Sequence, residues 1–256
     1  MLELSIVLVI IGLLIGGVFV GQSLIHNAQL NTVITEFNRY QTATQAFKQQ
    51  YQGLPGDMNN VTSFWGVAGG TGSDTTCSTT TSTTTATCNG NGDGMVYVQS
   101  GHWGEVYRFW QHLSNAKMIE GSYTGSTTGH AANTPSPGLN APQSKFGANV
   151  GWSIIVSGQS LPSGGFEGGW FNADYGQGHT FIFGTSCANT TCGAAITPKD
   201  GWAIDKKIDD GKPGMGNVIA TEYANCTNAA SMNDLGTTYK LATTSPVCAL
   251  VFLANF

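Results

Sequence analysis

Charge is scarce in this chain. Asp, Glu, Lys and Arg together make up 10% of its 256 residues, against roughly 25% in an ordinary soluble domain. No lysine or arginine occurs before Arg39, and the net charge is −5. Nucleic-acid binding needs a basic stripe, so that class is excluded. Proline is missing before Pro55, and no ring of that kind interrupts a helix in the first part of the chain. Catalytic signatures are missing too. The sequence has no HExxH, GxSxG elbow, P-loop, dinucleotide fingerprint or CxxCH, and His26, His102, His112, His130 and His179 lack metal-ligand spacing. An enzyme is not expected, and neither is a required cofactor.

Gly, Ser, Thr and Asn take the place of charge, with 35 glycines alone. A neutral, hydroxyl-rich surface is usual in exported proteins. The six cysteines, Cys77, Cys88, Cys187, Cys192, Cys226 and Cys248, all lie beyond the apolar opening segment. Their connectivity is open on sequence grounds. Sequential pairing is expected, because each neighbouring couple brackets one loop-like stretch. Metal thiolates are the rival reading, which no CxxC pair supports. The cysteines therefore point to an oxidising, extracytoplasmic location.

Hydrophobicity is concentrated at the start, "MLELSIVLVIIGLLIGGVFVG", where Ser5 is the only non-apolar side chain between Leu4 and Gly21. As a helix this run spans about 27 Å, near the thickness of a bilayer core. A secretory signal needs a basic flank before the run and a small-residue cleavage site after it. Here Glu3 stands before it and "GQSLIHNAQL" after it, so an anchor or packing segment is expected. Beyond it Leu30, Val33, Ile34, Phe37, Tyr40, Phe47 and Tyr51 recur at helical spacing, and "GLPGD" is a stop signal. The expectation is one long helix over residues 1–53. Residues 1–25 form an apolar transmembrane or assembly half, and 26–53 an amphipathic half.

Residues 54–256 read as a β-rich head. "GMVYVQS", "VGWSIIVSG", "GHTFIFGTS" and "VCALVFLANF" carry strand composition, and "EVYRFWQHLSNAKMI" is a helix with one apolar face. The Gly/Ser/Thr stretch from Gly69 to Thr87 is a surface loop. The fold class expected is α+β, a long N-terminal α-helix packed on a globular domain with an antiparallel β-sheet and disulfide-stapled loops.

The opening "LELSIVLVIIGLLIG" resembles the N-terminus of type IV pilins and of the related pseudopilins of secretion machines. Glu3 matches the family's acid, and Leu4, Ser5, Ile6 and Val7 match the residues usual after that acid. "FKQQYQGLPGDM", "FWQHLSNAKMIEG" and "DKKIDDGKPGMG" are similar to segments of pilin-like proteins. The resemblance implies an inner-membrane precursor, a prepilin peptidase that removes a leader and methylates the new N-terminus, and pilus assembly machinery. It also implies that Glu3 neutralises a neighbouring subunit's N-terminal amine. The chain departs from the family twice. Glu3 is two residues closer to Met1 than the family's acid is to its mature start, and the proline that many pilins carry in this segment is missing. Gly12, Gly16, Gly17 and Gly21 could supply bending instead.

The physics of that segment agrees with an assembly role. A lone carboxylate near the membrane centre costs about 2.5–3.5 kcal/mol on insertion scales, and less near a helix end. Subunits packed out of register would strand it without a cation, so Glu3 reads as a register device. Gly12/Gly16 and Gly17/Gly21 have the small-xxx-small spacing that lets helices approach closely, although glycine is common in membrane helices anyway.

Two acidic or amide loops raise calcium. In "CNGNGDGMV", Asn89, Asn91 and Asp93 alternate before Gly94 like the first half of a calcium loop, but Ser100 stands where the closing Glu belongs. Asn-Gly repeats are also ordinary turns. In "AIDKKIDDGKPG", Asp205, Asp209 and Asp210 gather beside Lys206, Lys207 and Lys212, either as a cation site or as a surface turn capping a short helix. Trp65, Trp103 and Trp170 could stack on sugars or pack in the core. Asn60, Asn189 and Asn225 fit the N-glycosylation pattern, and the threonine tract Thr79–Thr87 could carry O-glycans.

The function expected is a structural subunit of an extracellular type IV-type pilus, polymerising with itself through its N-terminal helices. It would reside in the inner membrane before assembly and in a surface filament afterwards. A pseudopilin or minor tip pilin is the alternative, and from another class, a membrane-anchored binding module that does not polymerise.

Overall fold

The computed structural model describes residues 2–77, 80–97, 104–126, 134–156, 171, 178–187, 190–221, 223–254 and 256, with the side chains of residues 2–5, 74, 75 and 223 outside that description. Helix α1, Leu2–Tyr51, runs for 50 residues, or about 75 Å. The short helices α2 (Thr62–Trp65) and α3 (Asp74–Cys77) lie in the segment after it, and α4 (Glu105–Asn115) comes next. Then come strands β1 (Val150–Val156) and β2 (His179–Thr185), helix α5 (Pro198–Ile208), strand β3 (Val218–Ala220), the single turn α6 (Tyr223–Cys226) and strand β4 (Leu250–Ala254).

The strands form one antiparallel sheet in the order β1-β2-β4-β3. Its register sets Trp152 opposite Phe183, Ile182 opposite Val251, and Ile219 also opposite Val251. Every residue of β1 and β3 is buried. A strand covered on both faces reads as a nearly continuous apolar run, as "FIF" does and as "WSIIV" does apart from Ser153, whose hydroxyl bonds that of Thr191. The α+β class is therefore the observed one, with a long N-terminal helix, an antiparallel sheet and three disulfides.

The second half of α1 packs into this head. Val33 and Phe47 are fully buried, and Leu30, Tyr40 and Ala43 nearly so. Phe37 stacks on Phe252 of β4 at 4.9 Å, while Tyr40 meets Trp110 of α4 edge-on at 5.1 Å and Trp152 of β1 at 5.8 Å. One helical stripe thus reaches the sheet and α4 together. After α1, Gly56 (φ +84°) makes the turn that "GLPGD" announces, and a Cβ there would sit 2.4 Å from the Glu105 carbonyl oxygen. The turn is held against the start of α4.

The structure adjusts several expectations. "GMVYVQS" is not a strand where it is described. Val96 and Tyr97 are buried, and the Val96 carbonyl accepts a hydrogen bond from Val156 N–H at 2.8 Å, extending the edge of β1. Helix α4 stops at Asn115, and Lys117 takes a left-handed φ of 59°, so Met118 lies beyond the helix. Strand β3 and the full length of helix α5 lie outside those expectations.

Candidate functional site

Among the described residues, no side chain of the first half of α1 joins the core of the head. Every large apolar side chain from Ile6 to Ile25 is 46–73% exposed. An 18-residue stretch has a mean hydropathy of 2.4 with none of it buried, so this helix is apolar enough to cross a membrane. Burying such side chains contributes on the order of 1–3 kcal/mol each. Together they rival the whole stability of a typical domain, roughly 5–15 kcal/mol. A helix like this requires lipid or other protein around it.

The glycines of this half face open space. A Cβ built on Gly12, Gly16, Gly17 or Gly21 would meet nothing within 4 Å among the described residues. Glu3 lies in the first turn of α1, with its side chain outside the described residues, as Met1 is.

Where the helix enters the head, α5 braces it. His26 Nε2 lies 2.7 Å from Asp200 Oδ1, and Lys207 Nζ donates to Asn31 Oδ1. Helix α5 owes its start to Thr197, which accepts from Asp200 N–H at 3.2 Å, with Pro198 as the first helical residue. Thr-x-x-Asp with proline inside is a recognisable start signal, and it would have located this brace in the sequence. Farther along α1, buried Glu36 ties the helix to the head. Its carboxylate accepts Ser144 Oγ–H at 2.6 Å, Lys145 N–H at 2.9 Å and Trp152 Nε1–H at 2.8 Å. Nothing in the local sequence marks Glu36, because its three donors lie more than a hundred residues away.

The disulfides pair sequentially, Cys77–Cys88, Cys187–Cys192 and Cys226–Cys248, with Cα separations of 5.8, 5.5 and 5.1 Å. Cys226–Cys248 fixes the segment after β3 to the residues just before β4, inside the core.

The "CNGNGDGMV" loop is organised around an acid outside it. Asp57 Oδ1 accepts Gly92 N–H at 2.8 Å and Asp93 N–H at 3.0 Å, and Oδ2 accepts Gly94 N–H at 3.0 Å. Burial pushes the Asp57 carboxyl pKa up, against the pull of these bonds. Gly90 fits so closely over Asp57 that a Cβ would sit 2.3 Å from its carbonyl. Asn89 Oδ1 accepts Thr62 N–H at 2.9 Å, while Asn91 Nδ2 donates to Asp93 Oδ2 at 2.9 Å. The structure thus brings Asn91 and Asp93 together and turns Asn89 toward α2. Ser100 lies outside the described residues.

Asp205, Asp209 and Asp210 do converge, with one oxygen from each lying within 4.8 Å of the others. They do not form a simple surface turn, since Asp205 is fully buried inside α5. It accepts Tyr239 Oη–H and Gly211 N–H, both at 2.9 Å. Burial, more than the neighbouring acids, pushes its pKa up to about 7. Asp209 accepts Val218 N–H at 2.9 Å and the Asn217 N–H, and Asp210 accepts Lys212 N–H at 2.7 Å. A divalent cation here would be held by these carboxylates and would have to displace the Asp205 proton.

The described histidines have structural partners. His112 Nδ1 accepts Gly56 N–H at 2.9 Å and Nε2 bonds Thr87 Oγ1 at 2.9 Å, while burial pushes its pKa down to about 3. Trp65 is half-buried among Phe47, Tyr51, Phe64 and His112. His102, Trp103, His130, Trp170 and Asn189 lie outside the described residues, while Asn60 and Asn225 are exposed.

A long N-terminal helix, half free and half packed on an antiparallel sheet, is compatible with a pilin-like architecture. No family model, no curated protein and no solved structure matches the chain.

Proposed function

We propose that this chain is a structural subunit of an extracellular type IV-type filament that polymerises through the first half of α1. The carrying observation is the bare apolar half helix, exposed from Ile6 to Ile25 and continuous with a half that is locked into the head. Before assembly it would lie in the inner membrane, and after assembly among the same helices of neighbouring subunits. The open glycine faces would permit close approach. Glu3 would fix the register, because a misplaced copy strands its charge. The head, sparing in charge and stapled by three disulfides, would face outward into an oxidising medium.

Electron microscopy of the purified and of the cell-surface protein tests this reading, with helical fibres as the expected result. Glu3→Ala is expected to insert into membranes normally and to abolish or slow fibre formation. Ordinary fibres from that variant would remove the register role. Membrane insertion without fibres from the unaltered chain would leave a non-polymerising anchored module.

A further inference from the structure

A second feature lies at the opposite end of α1, about 35 Å along the axis from Ile25. Here the described residues line a cleft of about 930 Å³, at the upper end of the ~300–1,000 Å³ usual for small-molecule sites. Aromatic and amide side chains share its lining. Half-buried Tyr51 comes from the last turn of α1, and His179, at the start of β2, stacks on Phe256 with centroids 5.4 Å apart and planes at 21°. The exposed side chains of Gln52, Asn59 and Asn60 supply amide donors and acceptors.

His179 is the telling residue. It is 5% exposed, and its Nε2 accepts Val96 N–H at 3.0 Å. The ring is neutral, because burial, more than the charge of Lys48, pushes its pKa down to about 4. Its hydrogen is therefore on Nδ1, which has no hydrogen-bond partner among the described residues. That N–H is not sealed from solvent, so a ligand hydroxyl can take the place of water on it. The floor of the cleft is preformed, since Asp57 holds the backbone of Gly92, Asp93 and Gly94 and consumes both its own oxygens doing so. A rigid site loses little entropy on binding.

Half-buried Tyr51, exposed amides, an imidazole N–H and, among the described lining residues, a single cation, Lys48, which lies over the Phe256 ring, match one ligand chemistry. A pyranose C–H face can pack against Tyr51, while adjacent hydroxyls pair with amide oxygen and N–H together. A phosphorylated ligand would call for more cationic donors. We infer that this cleft binds a neutral oligosaccharide.

The test uses the full chain in zwitterionic micelles free of sugar headgroups, titrated with cellotriose and with the N-acetylglucosamine trimer. Backbone amide shifts and calorimetry are the readouts. Millimolar or tighter binding of one trisaccharide is expected, with shifts confined to the cleft, including Gln52, Asn59, Asn60 and His179. Asn59→Ala/Asn60→Ala, both at exposed positions, should weaken it about tenfold, the loss expected for one or two hydrogen bonds. His179→Phe removes the N–H and also leaves the Val96 N–H without its acceptor, so it is expected to weaken binding several-fold and to lower the melting temperature, with binding measured well below that temperature. No shifts with either sugar, or unaltered affinity in the double variant, would overturn the inference. Fibre formation is scored separately, so the two readings fail independently.

Discussion

At the scale of single residues, buried carboxylates do most of the organising, and each in a different way. Glu36 serves three donors on the head. Glu36→Ala would leave Trp152 Nε1–H and Ser144 Oγ–H without an acceptor in a dry site, at a cost of about 2–4 kcal/mol. Glu36→Gln keeps an acceptor and is expected to cost less; chemical denaturation of both variants checks the order. Asp205 behaves oppositely. With its folded pKa raised to about 7, the folded state holds a proton that the unfolded chain has already lost. Its contribution is therefore present at low pH and is lost as pH rises through 7. Asp205→Asn should raise the melting temperature most at pH 8 and progressively less as pH falls toward about 4, where the unfolded carboxyl is itself protonated. If the Asp205, Asp209 and Asp210 cluster holds calcium, millimolar calcium should raise melting at pH 8 in the unaltered chain and not in Asp205→Asn. An unchanged melting temperature with calcium leaves a purely structural cluster.

At the scale of elements, α1 is two helices in energetic terms joined without a break. Its packed half supplies Leu30, Val33, Tyr40, Ala43 and Phe47 to the core, while the half up to Ile25 supplies nothing. Removal of residues 1–25 is therefore expected to leave head stability within about 1 kcal/mol. His26 and Asn31, which brace α5, would remain. The shortened chain should lose all partition into lipid vesicles, as flotation would reveal. A large drop in melting temperature would mean that the bare half supports the head after all. The element scale is also where the sequence was most legible. The i, i+3, i+4, i+7 stripe through Val33, Phe37, Tyr40 and Phe47 is local information, and so are the apolar runs that became β1, β2 and β4. Strand β3 has only three residues, too short a run to stand out, and α5 carries Gly201 and a charged face, so only its Thr-Pro-x-Asp start is legible locally. Their formation depends on partners, Val251 and Leu250 for β3, and α1 for α5.

At the scale of the whole molecule, stability against acid depends on two histidines buried in neutral form. His112 and His179 have folded pKa values lowered to about 3 and about 4 by burial, against about 6.5 for a free imidazole. Unfolding takes up their protons, so stability falls as pH drops below about 6.5. Asp205 opposes this with one proton of the other sign, and Asp57, also pushed up by burial, adds to its side. The net expectation between about pH 6 and 4.5 is a loss of at most ~1.4 kcal/mol per pH unit. Thermal unfolding at constant ionic strength across that range checks it, and a flat or rising profile would contradict it.

What the sequence determined by itself is the division into a bare apolar half helix, an amphipathic half and a disulfide-stapled, charge-poor head. Those features rest on composition and on spacings within a few turns, and they hold wherever the chain folds. Only the tertiary structure decided that Asp57 would gather the "NGNGDG" backbone, that Glu36 would take donors from beyond residue 140, and that Asp205 would be dry. It also decided that Tyr51, Gln52, His179 and Phe256 would face one cleft. A polar side chain's role depends on which partners arrive and how much water they exclude. Those partners come from segments up to a hundred residues and more away, where no local pattern reaches.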